Sequence, residues 1–215
     1  MPNNLIIIMT DELRRDALSC YGNPFVKTPN IDKLAESGHL FTNAYTPSPI
    51  CVPARASIAT GQYVHENRCW TNAMPYSGQT RSWHHELRDN NRDVISIGKL
   101  HFKNSEKANG FSKEILPLHV KDGKGWIHGL LRERTDLFDA SNFAANIGPG
   151  EDPYTNYDRK VCKLTQEWLT NNGLKRPHGG WCLFVSFLRP HYPLTCPSEF
   201  YELYDPNELP KPRQL

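Results

Sequence analysis

The stretch LIIIMTDE, residues Leu5–Glu12, decides the fold class of this chain. Its apolar part, Leu5–Thr10, is a short, continuous run of branched side chains, which is the pattern of a strand buried on both faces. Two acidic residues, Asp11 and Glu12, follow directly at the carboxyl end of that strand. Strands buried on both faces occur in parallel sheets covered by helices, so the run indicates a sheet of that kind.

Strands and helices alternate along the rest of the chain. The patterns predict further strands within 39–46, 92–102 and 179–193, and helices over 28–38, 53–61, 82–89 and 157–173. Residues 104–153 are rich in Gly, Lys and Asp without a sustained period, and we expect mainly loops there. This alternation predicts an α/β fold with a mostly parallel central sheet flanked by helices.

Composition and charge argue against several classes of function. The 215 residues carry 25 Lys and Arg against 23 Asp and Glu, and this balance argues against a nucleic-acid partner. No apolar run approaches the ~18 residues of a membrane span, and the N-terminus lacks the basic lead-in of a secretory signal. The six cysteines are scattered, so we expect free thiols and a cytoplasmic protein. The sequence leaves open whether the chain forms homo-oligomers.

Polar residues follow three of the predicted strands. Asp11 follows the first strand, Lys99 and His101 follow the one within 92–102, and His191 follows the last. Lys99 and His101 alternate in strand register and are expected to share a face. Cys51 lies just ahead of a helix predicted to begin at Pro53, and a helix N-terminus favours an anion. Ligands of open α/β sheets bind beyond the carboxyl ends of strands, so the pattern predicts a site for an anionic substrate.

Each of these residues also has an ordinary structural explanation when taken alone. Asp11 could pair with Arg14 or Arg15, and a single cysteine is most often a small buried apolar residue. The chain has nine histidines, so any one of them is weak evidence. Only the combination of acid, thiol, cations and histidines at one sheet edge is informative.

That combination resembles the formylglycine-dependent sulfatases of the alkaline phosphatase superfamily. CVPARASIATG (51–61) resembles the family's activation signature, Cys-x-Pro-(Ser/Ala)-Arg followed by Thr-Gly. VISIGKLHF (94–102) resembles the second signature, and SFLRPHYP (186–193) resembles a third element. With the N-terminal strand that ends in Asp11, the elements occur in family order and span nearly the whole chain. The resemblance implies an alkaline-phosphatase-like fold, of which 1–215 would be the N-terminal part of the catalytic domain.

The resemblance also implies a role for Cys51 and its neighbours. A formylglycine-generating maturation enzyme would oxidise Cys51 to an aldehyde, which hydrates to a geminal diol. One hydroxyl would attack the sulfur or phosphorus of an ester, and the second would then expel the product. Arg55 would orient the diol, and Lys99 would bridge the nucleophile and a substrate oxygen. His101 would act as the base.

Further roles follow from the resemblance for the substrate and the metal ion. His191 would contact the substrate ester and assist the leaving group. Asn72 resembles a substrate-contacting asparagine of the choline-sulfatase and phosphonate monoester hydrolase branch. Asp11 and the converted Cys51 would bind a divalent cation. Oxygen ligands favour Ca²⁺, with Mg²⁺ or Mn²⁺ as alternatives.

Two departures from the family pattern affect these expectations. Many sulfatases have two consecutive Asp residues after the first strand, whereas this chain has Asp11 followed by Glu12. A single Asp is closer to the choline-sulfatase and phosphonate monoester hydrolase branch, so Glu12 is not counted as a firm ligand, and the sequence leaves open whether it is one. Nothing after His191 matches the family's later Asp-(Asn/His) metal pair or its second active-site lysine. The 215 residues alone are therefore expected to be inactive.

The leading hypothesis is a sulfuric-ester hydrolase that cleaves small-molecule sulfate esters, with no nucleic-acid or membrane partner. A phosphonate monoester hydrolase or phosphodiesterase of the same superfamily is the alternative, because both substrates are tetrahedral and singly charged. A non-catalytic fragment or pseudoenzyme is a further alternative. A thiol enzyme that uses Cys51 with His101 or His191 would leave Arg55 and Lys99 without a role.

Overall fold

The computed structural model describes residues 4–106, 108–126, 146–176 and 180–210. Its main strands are β1 (Leu5–Met9), β2 (Val94–Lys99), β3 (Lys113–Leu118) and β5 (Cys182–Ser186). They form one parallel sheet in the order β1-β5-β2-β3. Two short segments, β4 (Gly148–Pro149) and β6 (Thr195–Cys196), form a second parallel pair. The predicted α/β fold with a mostly parallel sheet is confirmed.

Six α-helices accompany the strands in the described residues: α1 (Pro29–Ser37), α2 (Cys51–Thr60), α3 (Val64–Asn67), α4 (Trp83–Asp89), α5 (Pro153–Trp168) and α6 (Ser198–Tyr201). A π-helical turn, Leu169–Gly173, extends α5. Short 3₁₀ turns occur at Arg15–Ala17, Ser19–Tyr21 and Lys121–Gly123. None of the described helices combines the length and the apolar character that crossing a bilayer requires. All six cysteines are free thiols, as the sequence predicts.

Helices pack on both faces of the sheet because successive side chains of its strands point to opposite sides. Phe184 of β5 joins a cluster that contains Ala56 and Ala59 of α2. Its neighbours Leu183 and Val185 join a second cluster with α5. The four residues predicted to point inward all belong to this cluster, together with Tyr157: Val161, Leu164, Trp168 and, in the π-helical turn, Leu169. The sheet is thus held between α2 and α5.

Three sequence predictions about the strands are wrong. β1 is not buried on both faces: Ile7 and Met9 face the core, whereas Ile8 is 66% exposed. Residues 39–46 form no strand and include the exposed Phe41 and Tyr45. The stretch 104–153, predicted to be loops, contains β3, whose position at an edge of the sheet tolerates a proline within the strand.

Because the strands are unequally buried, shortening an isoleucine side chain should lower the free energy of unfolding by different amounts in different strands. Ile97 in the sheet centre is completely buried, so Ile97→Ala should lower the free energy of unfolding by about 2–5 kcal/mol. Ile8→Ala removes the same atoms from an exposed face and should cost less than about 1 kcal/mol. Urea unfolding followed by circular dichroism measures both values. Equal losses would mean that the outer face of β1 is covered in solution.

The buried His84 predicts a loss of stability in mild acid. His84 is 1% exposed and stacks on Phe111 with ring centroids 4.3 Å apart. Burial lowers the pKa of His84 to about 3, whereas an unfolded histidine titrates near pH ~6.5. Between these two pKa values the unfolded chain carries one more proton on this histidine than the folded chain does. The free energy of unfolding therefore decreases by about 1.4 kcal/mol for each unit by which the pH is lowered.

The pH dependence of the unfolding free energy tests this expectation between pH 6.5 and 3. His84→Gln should flatten the slope by about one proton. The matched variant His65→Gln changes an exposed histidine and should leave the slope as it is. An unchanged slope in His84→Gln would contradict the assignment.

Candidate active site

Asp11 is the centre of the candidate site at the carboxyl edge of the sheet. It follows β1 and is 4% exposed. Its Oδ2 lies 2.8 Å from Arg55 Nη2 and 2.8 Å from Lys99 Nζ. Its Oδ1 accepts the thiol of Cys51 at 3.4 Å. Burial acts to raise the pKa of Asp11, but Lys99 and Arg55 outweigh it and lower that pKa to about 2. Asp11 is therefore ionised, and its carboxylate contacts both cations and the Cys51 thiol.

Arg55 connects this carboxylate to the rest of the sheet. It projects from α2 and is 4% exposed. Its Nη1 donates to the backbone oxygen of Lys99 at 2.6 Å and to Ser186 Oγ at 3.0 Å. Arg55 thus joins α2 to the ends of three strands. Ser186 was not singled out from the sequence, although it is the first residue of the third signature-like element.

Cys51 occupies the first position of α2. The helix begins at Cys51 and not at Pro53 as predicted, so the cysteine belongs to its first turn. Asn72 Oδ1 accepts the backbone N–H of Val52 at 3.1 Å, which satisfies one of the free donors at this helix end. Burial raises the pKa of the Cys51 thiol. A thiol enzyme requires a thiolate, so the raised pKa argues against that alternative.

The backbone conformation of His101 differs from the extended strand that the sequence predicts. β2 ends at Lys99 after a slip in its pairing with β3, and His101 has a left-handed backbone with φ 59°. It therefore does not share a face with Lys99 through strand alternation. Burial, assisted by Lys99 and Arg55, lowers the pKa of His101 to about 3. His101 is neutral at physiological pH, which is the state that accepts a proton.

Gly98 allows these strand ends to come together. Its φ is 102°, and a Cβ at this position would lie 2.1 Å from the backbone oxygen of Ser186. Only glycine permits that close approach of β2 to β5. The glycine of the GKLH segment therefore has a packing function beside Lys99.

His191 is held by a loop that is fastened to α5. Asp158 accepts the backbone N–H groups of Leu188 and Arg189, each at 2.8 Å. The Arg189 guanidinium donates to the backbone oxygens of His191, at 3.1 Å, and Pro193, and it also contacts the carboxylate of Asp152. Sequence reasoning missed both supports. Arg189 could have been found inside SFLRPHYP, whereas nothing marks Asp158.

Four potential ligands for a metal ion converge beside Asp11. One ligand atom from each lies within 4.8 Å of the others; the residues are Asp11, Glu12, Cys51 and His191. Glu12, whose role the sequence left open, belongs to this group and has a backbone φ of 64°. Its Oε1 lies 3.5 Å from His191 Nε2. Two carboxylates and one further oxygen at position 51 would suit a hard divalent cation, so the donor set fits the group that the family implies.

A cleft of about 530 Å³ has two of the candidate site residues, Asn72 and His101, in its lining. It is lined by Asn72, His101, Val120, Lys121, Asp122, Lys124, Gly125 and Trp126. Lys121 and Lys124 line it together with Asp122, so its lysines outnumber its carboxylates by one.

Comparisons with known proteins agree with this geometry. The Sulfatase family model matches residues 3–211. The chain is 32% identical to choline-sulfatase from Rhizobium meliloti (strain 1021), over 94% of this chain and 41% of that protein. It is 28% identical to arylsulfatase from Clostridium perfringens (strain 13 / Type A), over 99% of this chain and 48% of that protein.

A solved structure supports the same relationship. Phosphonate monoester hydrolase of Agrobacterium radiobacter superposes with a TM-score of 0.68 at 26% identity, over 98% of this chain and 45% of that one. The chain thus spans less than half the length of these relatives. Since the family model covers nearly all of the chain and its signature-like segments meet at one sheet edge, the chain belongs to the sulfatase family.

Proposed function

We propose that this chain forms part of the catalytic domain of a sulfuric-ester hydrolase that depends on formylglycine at position 51. One observation carries the proposal: Asp11, Arg55 and Lys99 meet in buried contacts around Cys51 at the first turn of α2. The relatives are about twice as long as the matched region, so the activity is proposed for the whole domain, with 1–215 supplying one part.

Each site residue of this chain then has a distinct proposed role. The formylglycine supplies a diol nucleophile, and a divalent cation, with Ca²⁺ favoured and Mg²⁺ or Mn²⁺ as alternatives, supplies Lewis acidity. Asp11 and Glu12 would hold the cation. Lys99 and Arg55 would neutralise the charge of the ester group, and neutral His101 would accept a proton.

Asn72 and His191 are proposed to act on the substrate. Asn72 lines the cleft beside His101 and could contact the ester. His191 would protonate the leaving oxygen. We propose a small-molecule sulfate ester as substrate and a formylglycine-generating enzyme as maturation partner. Free thiols throughout the chain favour a cytoplasmic location.

A phosphonate monoester hydrolase is the second candidate function. It is favoured by the structural likeness to the Agrobacterium radiobacter enzyme of that name. Sulfate and phosphonate monoesters both present a tetrahedral group with one negative charge. The paired cations Arg55 and Lys99 suit either group, so the choice depends on turnover measurements.

Conversion of Cys51 is the first test of the proposal. When the chain is produced together with a formylglycine-generating enzyme, the tryptic peptide Leu34–Arg55 should lose sulfur and gain an aldehyde oxygen. Mass spectrometry of that peptide measures the change. The matched peptide from Arg55→Lys protein should stay a thiol, because the signature would then lack its arginine. An unmodified thiol in the wild-type chain would favour the pseudoenzyme alternative.

Turnover by the converted whole domain is the second test. Aryl sulfates should be hydrolysed with higher kcat/KM than the matching aryl phosphonates. His101→Asn should lower kcat by about 10²–10⁴-fold for the preferred substrate, because it removes the proton acceptor. His65→Asn, an exposed control, should leave kcat unchanged.

The relative rates decide between the candidate functions. Faster turnover of phosphonates would select the second function. Absence of both activities in fully converted protein would favour the inactive alternative.

A further inference from the structure

We propose that a bulge in β3, at 116–117, positions His101, and that Tyr157 and the Glu114–His119 pair hold this bulge in place. The inference rests on the proposed function only in taking His101 as the proton acceptor. Tyr157, Glu114 and His119 act through the backbone and not on the reacting atoms. They are positioning residues, and nothing in the sequence patterns marks them.

The bulge is one extra residue in the pairing of β3 with β2. Ile97 pairs with Ile115, and the next pair is Lys99 with Leu118, so between these pairs β3 has two residues where β2 has one. The first of the two, Leu116, has a left-handed backbone with φ 49°. Bulges bend a strand and redirect the side chains near them, and they are common next to active sites.

The extra residue places one carbonyl against the backbone of His101. The backbone oxygen of Leu118 accepts the N–H groups of Leu100, at 3.0 Å, and of His101, at 2.8 Å. Further along, the N–H of Val120 donates to the backbone oxygen of Phe102 at 3.0 Å. These hydrogen bonds hold the chain on both sides of His101. The position of Leu118 along β2 therefore sets the backbone of the proton acceptor.

The ring of His101 depends on this backbone for its orientation. Its Nδ1 is buried and has no hydrogen-bond partner among the described residues. By contrast, Nδ1 of His191 lies 2.7 Å from the backbone oxygen of Tyr192. A left-handed backbone at a residue other than glycine is unfavourable and persists where the surrounding contacts enforce it. The contacts of 118–120 with 100–102 supply that enforcement.

Tyr157 holds the bulge from the side of α5. Its hydroxyl donates to the backbone oxygen of Leu116 at 2.7 Å. The side chains of both residues pack against the buried cluster between α5 and the sheet. A bulge leaves its extra residue outside the regular ladder, so this carbonyl needs a partner from another element. Phenylalanine at 157 would keep the ring and remove that partner.

Glu114 and His119 lie on either side of the bulge in sequence. Glu114 Oε2 lies 3.1 Å from His119 Nε2 and accepts the hydroxyl of Ser105 at 2.5 Å. Its Oε1 accepts Asn109 Nδ2 at 2.8 Å. Burial acts to raise the pKa of Glu114, but hydrogen bonds from these three neighbours outweigh it and lower that pKa. The ionised carboxylate thus joins the two ends of the bulge and fastens them to the loop after β2.

Removal of one hydroxyl tests the proposal in the converted whole domain. Tyr157→Phe should lower kcat by about 10–100-fold for whichever ester the wild type hydrolyses, because a small displacement of His101 impairs proton transfer. KM should change by less than about twofold, since no substrate contact is removed. Tyr21→Phe is the matched control: its hydroxyl donates to the backbone oxygen of Phe41 at 2.9 Å, and its loss should change neither constant.

Amide hydrogen exchange measures the backbone of His101 without any ester. In Tyr157→Phe the amides of Leu100 and His101 should exchange faster, on the order of 10-fold, because the carbonyl that protects them is less firmly held. Mass spectrometry of the peptides that contain these amides measures the change. The same peptides should exchange at the wild-type rate in Tyr21→Phe. Circular dichroism establishes that each variant is folded.

Two substitutions at position 119 test the Glu114–His119 pair. His119→Ala should reproduce the loss of kcat and the faster exchange of Tyr157→Phe. His119→Gln keeps an N–H group that can donate to Glu114 and should restore most of both. Equal losses in the two variants would mean that His119 only fills space and would contradict its positioning role.

Other outcomes would overturn the role of the bulge. These are unchanged exchange at Leu100 and His101 in Tyr157→Phe, an unchanged kcat, or a loss of kcat shared with Tyr21→Phe. If the converted wild-type domain hydrolyses neither ester, the proposed function fails. The exchange measurement then decides by itself whether the bulge fixes the backbone of His101, so the two failures are distinguishable.

Discussion

The contact of two buried cations with one buried carboxylate is the constraint on which the rest of the site depends. Lys99 and Arg55 are 2% and 4% exposed, and both bond to Asp11 Oδ2. Burying an ion costs several kcal/mol unless charge and hydrogen bonds compensate for it. One carboxylate compensates for only one positive charge, so the contact carries an excess. A further anionic group at this edge would offset that excess charge.

Close packing of α2 against the sheet brings Arg55 to this carboxylate. Ala56 and Ala59 present small side chains to the sheet and are almost completely buried, which lets Arg55 reach the strand ends. Gly98 permits β2 and β5 to approach at the same level. The small-residue run after Cys51 and the glycine before Lys99 are therefore parts of one packing arrangement. The chemistry of the site and the packing of the sheet cannot be altered independently.

The sequence predicts which residues meet at the site better than it predicts the backbone conformations that bring them there. Cys51, Arg55, Lys99 and His191 converge as expected, because each is tied to a strand end or a helix start. His101 also arrives, but through a left-handed backbone that strand periodicity does not reveal.

The wrong predictions about the fold arise because a local sequence pattern does not show which elements lie beside it in the folded chain. An apolar run such as Leu5–Met9 cannot indicate whether another element covers its outer face. Residues 39–46 have β-forming side chains but no strand to pair with, whereas 113–118 pair with β2 despite a weak local pattern. The family pattern leaves open whether Glu12 is a ligand; the structure adds that its Oε1 lies 3.5 Å from His191 Nε2. Each error concerns tertiary context.

Position 51 is the point at which the packing of the fold meets the charges of the site. Arg55 and Lys99 hold Asp11 through Oδ2, and the other oxygen of the carboxylate, Oδ1, accepts the Cys51 thiol. The two cations belong to different elements, α2 and β2, and both are almost completely buried. The position of the carboxylate is therefore set by the packing of the helix against the sheet, and the group at position 51 meets a negative charge whose place does not depend on it.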